Sequence, residues 1–273
     1  MNWDHLLNEA VQHLQEYLRI NTVNPPGNEV EGAKFFKKIF DAESIPHQIF
    51  EPLPGRGSLL AILKGNGRKR PILFLNHIDV VPVEKERWTV DPFAGMIQDG
   101  YLYGRGALDD KSMGIIEMMT LLILKREKVP LERDILFFAG ADEETGGKWG
   151  IQWAMENVSS LRESEYALNE GGYIILNEAG IADRYEISTG QKVVFQLQLK
   201  AKGTSGHASM PHSDNPNVKL IHALEAVTKW ETPYNVLPMV KEFFLRMASK
   251  QPLDEKKFFE DIEKGLSDPS FSA

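Results

Sequence analysis

The 273-residue chain contains no cysteine. That removes disulfides, thiolate metal sites and cysteine nucleophiles together, so any metal ion must be held by histidine, aspartate and glutamate. Positive charge is in the minority: 31 Lys and Arg stand against 39 Asp and Glu, for a net charge of −8. A nucleic-acid binder would show a basic stripe instead, and no nucleic-acid partner is expected. Long apolar runs are lacking too. The greasiest stretch, "IIEMMTLLIL", includes Glu117 and is too short and too charged to span a bilayer. No signal-peptide pattern opens the chain. "MNWDHLLNEAVQHLQEYL" instead spaces Trp3, Leu6, Leu7, Val11, Leu14 and Leu18 as an amphipathic helix, so a cytoplasmic protein without a membrane partner is expected. Three catalytic patterns are missing as well. There is no H-E-x-x-H, "GYLYGRG" lacks the Lys-Ser/Thr of a phosphate loop, and "GTSGH" puts His207 where a nucleophile elbow around Ser205 needs glycine.

What is present is an ordinary globular composition, 42% hydrophobic and 26% charged, with enough length for a core. After the first helix, Pro25-Pro26-Gly27 breaks regular structure, and "GAKFFKKIFDAE" reads as a second amphipathic helix. "SLLAILKG" and "RPILFLNHIDVVP" are strand-like runs joined by "NGRKR", which suggests a hairpin or near neighbours. "DGYLYGRG" is a short strand. "DDKSMGIIEMMTLLILKRE" is a buried helix, acidic at its start and basic at its end, with Met113, Met118 and Met119 as core filling. "RDILFFAGADEE" is a buried strand, "GKWGIQWAMENV" a helix and "SEYALNEGG" another strand. Strands alternating with helices give an α/β fold, a sheet flanked by helices on both faces. Near Ile187 the texture changes: "VVFQLQLKAKG" alternates like a half-exposed antiparallel strand, and "NPNVKLIHALEAVTKW" follows as a helix. The expected division is a catalytic portion, 1–188, and the start of a smaller α+β unit, 189–273.

The polar residues at the ends of the buried strands carry the chemistry. "FLNHIDVVP" offers His77 and Asp79, "YGRGALDDK" Asp109 and Asp110, "ADEETGG" Glu143 and Glu144, and "LNEGG" Glu170. In an open α/β sheet the carboxyl ends of strands form the site-bearing edge. A cluster of uncompensated anions there would be expensive, and a divalent cation removes the cost; imidazole with carboxylates suits zinc. Of two adjacent glutamates, one can bind metal while the other takes a proton from the attacking water. A bridging aspartate would hold two ions roughly 3.5–4 Å apart. In His77-x-Asp79, the aspartate suits a carboxylate that fixes the imidazole tautomer.

"NHIDVVPV", "DPFAG", "DGYLYGRGALDDK", "DEETGG" and "LNEGG" follow one another in the order and rough spacing of the aminoacylase/carboxypeptidase S family of zinc metallopeptidases, which the chain resembles from about residue 20 to residue 215. The resemblance implies a mixed-sheet zinc-exopeptidase domain interrupted by a lid domain that often forms a homodimer. It implies two Zn2+ ions, with Co2+ or Mn2+ as possible substitutes. His77, Asp109 and Glu170 would hold one ion; Asp109 would bridge to a second, also bound by Glu144. Glu143 would be general base and then general acid, and Asp79 would orient His77. The family often has Asp-Glu where this chain has Asn169-Glu170, and the ligand-position glutamate is kept. A cis Asp109–Asp110 peptide is implied too. "GTSGHASMP" is similar to a lid segment whose histidine, here His207, helps hold the tetrahedral oxyanion, in cis or from a partner subunit. The family also places a final ligand histidine beyond the lid. These 273 residues end within the lid region, so the second ion is expected to lack an imidazole, and the chain alone to be weakly active or inactive.

The expected function is a zinc-dependent hydrolase that cleaves an amide next to a free carboxylate in a small peptide or N-acyl amino acid, releasing an amino acid. Alternatives are a biosynthetic deacylase of the acetylornithine or succinyl-diaminopimelate type, or an inactive metal-binding module. His5, His13, His47 and His222 are expected to be structural or surface residues, and His212 is left outside the site.

Overall fold

The computed structural model describes residues 2–188, 190, 196–207 and 209–272. It divides into two compact units, Met1–Gln191 and Lys192–Ala273. The first opens with α1 (Trp3–Leu18), whose free N-terminal amide at His5 is taken by the Asn2 side chain at 3.2 Å. α2 (Glu29–Ala42) follows the proline turn. The chain then runs through β1 (His47–Leu53), β2 (Arg56–Leu63), β3 (Ile72–His77), the small hairpin β4 (Met96–Gln98) and β5 (Tyr101–Tyr103), α3 (Lys111–Arg126) and β6 (Ile135–Gly140). Short helices α4 (Trp153–Asn157) and α5 (Ser159–Arg162) lead to β7 (Tyr166–Leu168). A second hairpin, β8 (Tyr173–Leu176) with β9 (Ala182–Glu186), follows.

The main sheet has the order β1-β2-β6-β3-β7 and is mixed: β3 runs parallel to β6 and β7, while β2 is antiparallel to β1 and β6. Of the two expected arrangements for β2 and β3, the hairpin is corrected and the near neighbours stand: β6 lies between them. The reason is burial. "ILFFAG" is buried at every position, so it belongs at the centre, bonded on both sides, and the chain reaches it from β3 through the α3 crossover. β1 went unread in the sequence because Pro52 and a polar start disguise a strand that pairs on one side only.

Strand alternation splits the core in two. Phe137 faces α1, α2 and α3 and meets Phe36 and Phe40 edge-on, with ring centroids 5.0 and 5.3 Å apart; Met118, Leu121 and Phe74 join this layer. Phe138 faces the other way, with Leu60, Leu73, Leu136, Ala154 and Leu161. Both faces are thus covered, and no helix is long and apolar enough to cross a membrane among the described residues.

The second unit contains α6 (Pro216–Thr228), α7 (Pro238–Met247) and α8 (Leu253–Glu260), with Pro at the first turn of α6 and of α7. The strand expected from "VVFQLQLKAKG" needs correction. Val193–Phe195 lie outside the described residues, and 196–203 take no strand conformation. Among the described residues that unit has no second strand to complete a ladder, and a lone strand leaves its amides unpaired.

Candidate metal centre

Parallel strands β3, β6 and β7 end on one edge of the sheet, and each exit delivers an acid or the imidazole. β3 ends at His77 with Asp79 two residues on, β6 runs into Asp142–Glu144, and Glu170 lies just past β7. The loop before α3 adds Asp109 and Asp110, joined by a cis peptide. His77 is 4% exposed. Its Nδ1 lies 3.0 Å from the Asp79 carbonyl oxygen, which can only accept, so the ring proton belongs on Nδ1. Nε2 is left facing Asp109 Oδ1 at 2.9 Å and Glu170 Oε2 at 3.8 Å. The His77 backbone N–H donates to Asp110 Oδ2 at 3.3 Å.

The Asp79 side chain does something the sequence did not suggest. Its carboxylate stands 3.6 Å from His77 Nδ1, yet its short contacts are elsewhere. It accepts from the backbone N–H of Glu143 at 3.0 Å, from that of Glu144 at 3.0 Å, and from Asn24 Nδ2 at 2.8 Å. This fully buried aspartate therefore holds the glutamate pair by its backbone. A second buried acid, Asp142, shapes the same loop. Its left-handed φ of 68° is one that Asp tolerates better than most residues. Its carboxylate accepts from Thr145 Oγ1 and from the Trp149 N–H at 3.1 Å. Arg56 Nη1 reaches Glu29 Oε1 at 2.6 Å and Asp142 Oδ1 at 3.4 Å, and the Asp142 N–H donates to the same Glu29 oxygen at 3.2 Å. Asn24, Glu29, Arg56 and Asp110 were not assigned from the sequence. Asp110 stood beside Asp109 in the same acidic pair without a role, Asn24 and Glu29 flank the proline turn, and Arg56 had no signal.

One ligand atom each from His77, Asp109 and Glu144 lies within 4.8 Å of the others, and so do atoms from His77, Asp110 and Glu170. Glu143 belongs to neither group. The two groups share the imidazole and face it with four carboxyls. Burial lowers the His77 pKa, but Asp79, Asp110 and Glu143 overcome that and lift it to about 10. Burial, reinforced by the charges of Glu170 and Asp109 against the pull of His77, pushes Asp110 up to about 7. Burial also raises Glu143 and Glu144, with neighbouring carboxylates adding to it. Carboxyls that resist ionising beside one another form a donor set a divalent cation would relieve, and imidazole plus carboxylates is zinc-type chemistry; the residues fit such an ion.

His77, Asp79, Asp109, Glu143, Glu144 and Glu170 thus come together in the first unit. His207 belongs to the second unit, where it is exposed and its Nδ1 lies 2.7 Å from Ser209 Oγ. His47 is tied to the Ile45 carbonyl at 2.8 Å, and His13 stands 3.8 Å from Glu9.

Residues 73–243 match the family model described as Peptidase family M20/M25/M40. Among curated proteins, the N-fatty-acyl-amino acid synthase/hydrolase PM20D1 of Xenopus tropicalis is 34% identical over 186 residues, 66% of this chain and 35% of that protein. Aminoacylase-1 of Sus scrofa is 31% identical over 222 residues, 80% of this chain and 53% of that one. The chain thus spans about a third to a half of the length of these relatives. Among solved structures, the M20 family metallo-carboxypeptidase Sso-CP2 of Sulfolobus solfataricus superposes with a TM-score of 0.54 at 23% identity, covering 63% of this chain and 39% of that one; this likeness is one of fold.

Proposed function

The chain belongs to peptidase family M20/M25/M40, and on that premise we propose that the protein is a zinc-dependent hydrolase of amide bonds next to a free carboxylate, acting on N-acyl amino acids or small peptides. The observation that carries this reading is the division of labour between adjacent glutamates: Glu144 joins the cluster around His77, and Glu143 stays outside both groups of ligand atoms. His77, Asp109, Glu144 and Glu170 would hold the metal, with the buried Asp110 beside them. Bound there, zinc would polarise the scissile carbonyl and make water a nucleophile at neutral pH.

The chain's own residues supply the rest. The Asp79 carbonyl keeps one His77 proton on Nδ1, so Nε2 is the nitrogen that would give up its proton and turn a lone pair to a bound ion. The Asp79 carboxylate fixes the backbone of both glutamates, so their side chains start from a set geometry. The Glu143 carboxylate takes a proton from the attacking water and returns it to the leaving amine. In this proposal the second unit is part of a lid that also forms a homodimer, and His207 stabilises the oxyanion.

The test pairs two substitutions. In the full-length protein, Glu143→Gln should keep the zinc content while lowering kcat on N-acyl amino acids by roughly 10²–10⁴. Glu144→Gln should lower zinc content as well. Zinc loss from Glu143→Gln with turnover intact would overturn the assignment.

A further inference from the structure

Glu117 lies two turns into α3 and is 6% exposed; no cation pairs with it among the described residues. Its Oε2 accepts from Asn76 Nδ2 at 2.7 Å. The other polar atoms of the pair, Glu117 Oε1 and Asn76 Oδ1, are both buried and both without a partner. With a carboxylate at 117 both atoms are acceptors, and no rotation of the pair can satisfy them. One proton on Oε1 would serve both. The place is built for close approach: a Cβ on Gly114, one turn before Glu117 on the same helix face, would stand 2.9 Å from Asn76 Oδ1. The amide oxygen therefore lies against α3 itself.

We propose that Glu117 is a neutral carboxylic acid in the folded protein, donating from Oε1 to Asn76 Oδ1 while accepting from Nδ2, and that this closed pair is a positioning device for His77. Asn76 immediately precedes His77 on β3, and the His77 N–H is itself bound to Asp110 at the start of α3. α3 thus grips β3 at two successive residues. The surroundings favour the neutral acid. Burial, opposed by the Asn76 bond and assisted by the charge of Asp110, pushes Glu117 up to about 8. β6 carries no titratable side chain, His77 projects from the opposite face of β3, and Glu9 on α1 is taken up by Arg126 at the far end of α3. Reading the pair as a positioning device rests on His77 being a metal ligand; the protonation itself does not.

The proton is read directly by infrared spectroscopy of the metal-free protein near pH 6. Asp110, pushed up to about 7, contributes a carboxyl band to both proteins, so the wild-type spectrum minus that of Glu117→Gln should leave one further protonated-carboxyl C=O band, shifted in D2O. The amide of that variant can make both bonds, so its zinc affinity should stay near wild type, whereas Glu117→Leu should weaken zinc by about tenfold or more. Because a raised acid pKa withdraws stability as pH climbs, wild type should lose ground to Glu117→Gln from about pH 5 to pH 8 and then level off. Absence of the band, or a Glu117→Gln protein that loses zinc as badly as Glu117→Leu, would overturn the proposal. The band and the glutamine rescue, found in a protein that hydrolyses no amide, would support the pair and defeat the proposed activity alone.

Discussion

Replacing Arg56 by methionine should destabilise the protein by about 3 kcal/mol at pH 7, and by much less at pH 5. Glu29 is fully buried, and the guanidinium 2.6 Å away is its cation. Without it the glutamate must stay charged in a dry site or take up a proton. The second choice limits the damage. Protonating a carboxyl of ordinary pKa 4.5 at pH 7 spans 2.5 units, or about 3.4 kcal/mol at 1.36 kcal/mol per unit. Asp142, 3.4 Å from the same nitrogen, loses a partner as well. The sign of the pH dependence follows from the same groups. Burial, against the pull of Arg56, already raises the Glu29 pKa, and removing Arg56 raises it further. An acid with a raised folded pKa costs nothing below its unfolded value and more with each pH unit above it, so the deficit should grow from pH 5 to pH 7. Urea unfolding of wild type, Arg56→Met and Glu29→Gln/Arg56→Met at several pH values measures this. The double variant, freed of the buried charge, should regain part of the loss and flatten the pH trend. A deficit independent of pH, or largest at pH 5, would refute the reasoning.

Gly150→Ala should distort the loop that carries Glu143 and Glu144, because the added Cβ would stand 1.8 Å from the Ala141 carbonyl oxygen; zinc content should fall along with stability, and unchanged values of both would contradict the close packing. Arg126→Ala should cost only about 1 kcal/mol, and less in high salt, since the guanidinium that joins Glu9 and Glu43 is partly exposed; a large, salt-independent loss in thermal unfolding would count against a surface network.

The elements that were legible in the sequence share one property: their local pattern and their final environment agree. β6 is apolar at every position and is buried at every position; α3 is apolar almost all round and packs against the sheet with Met118 and Leu121 in the core. Neighbour relations were less legible. β2 and β3 are close in sequence, yet the strand between them arrives through a helix some 60 residues later, roughly counted, and hydrophobic pattern carries no record of which buried strand sits at the centre. Residues 196–203 misled for the opposite reason: their alternation is a property of the residues alone, while a strand needs a partner to bond.

The site divides along the same line. His77, Asp109, Glu143, Glu144 and Glu170 could be picked out because ligand-capable side chains stand at the ends of apolar runs, and an acid there has few structural uses. Their support could not. Asp79 does stand beside the His77 ring, its carbonyl oxygen 3.0 Å and its carboxylate 3.6 Å from Nδ1, but the sequence held no sign that the same carboxylate also takes two amides 64 and 65 residues away. That arrangement bears on why three consecutive acids can follow a buried strand. Asp142 is spent on the loop's own N–H and hydroxyl groups and on Arg56, and Asp79 holds the next two residues by their backbone rather than their side chains. The loop is therefore folded without using the carboxyls of Glu143 or Glu144. Neither carboxyl is taken up by the loop, and their raised pKa values record that burial and neighbouring anions outweigh the pull of His77.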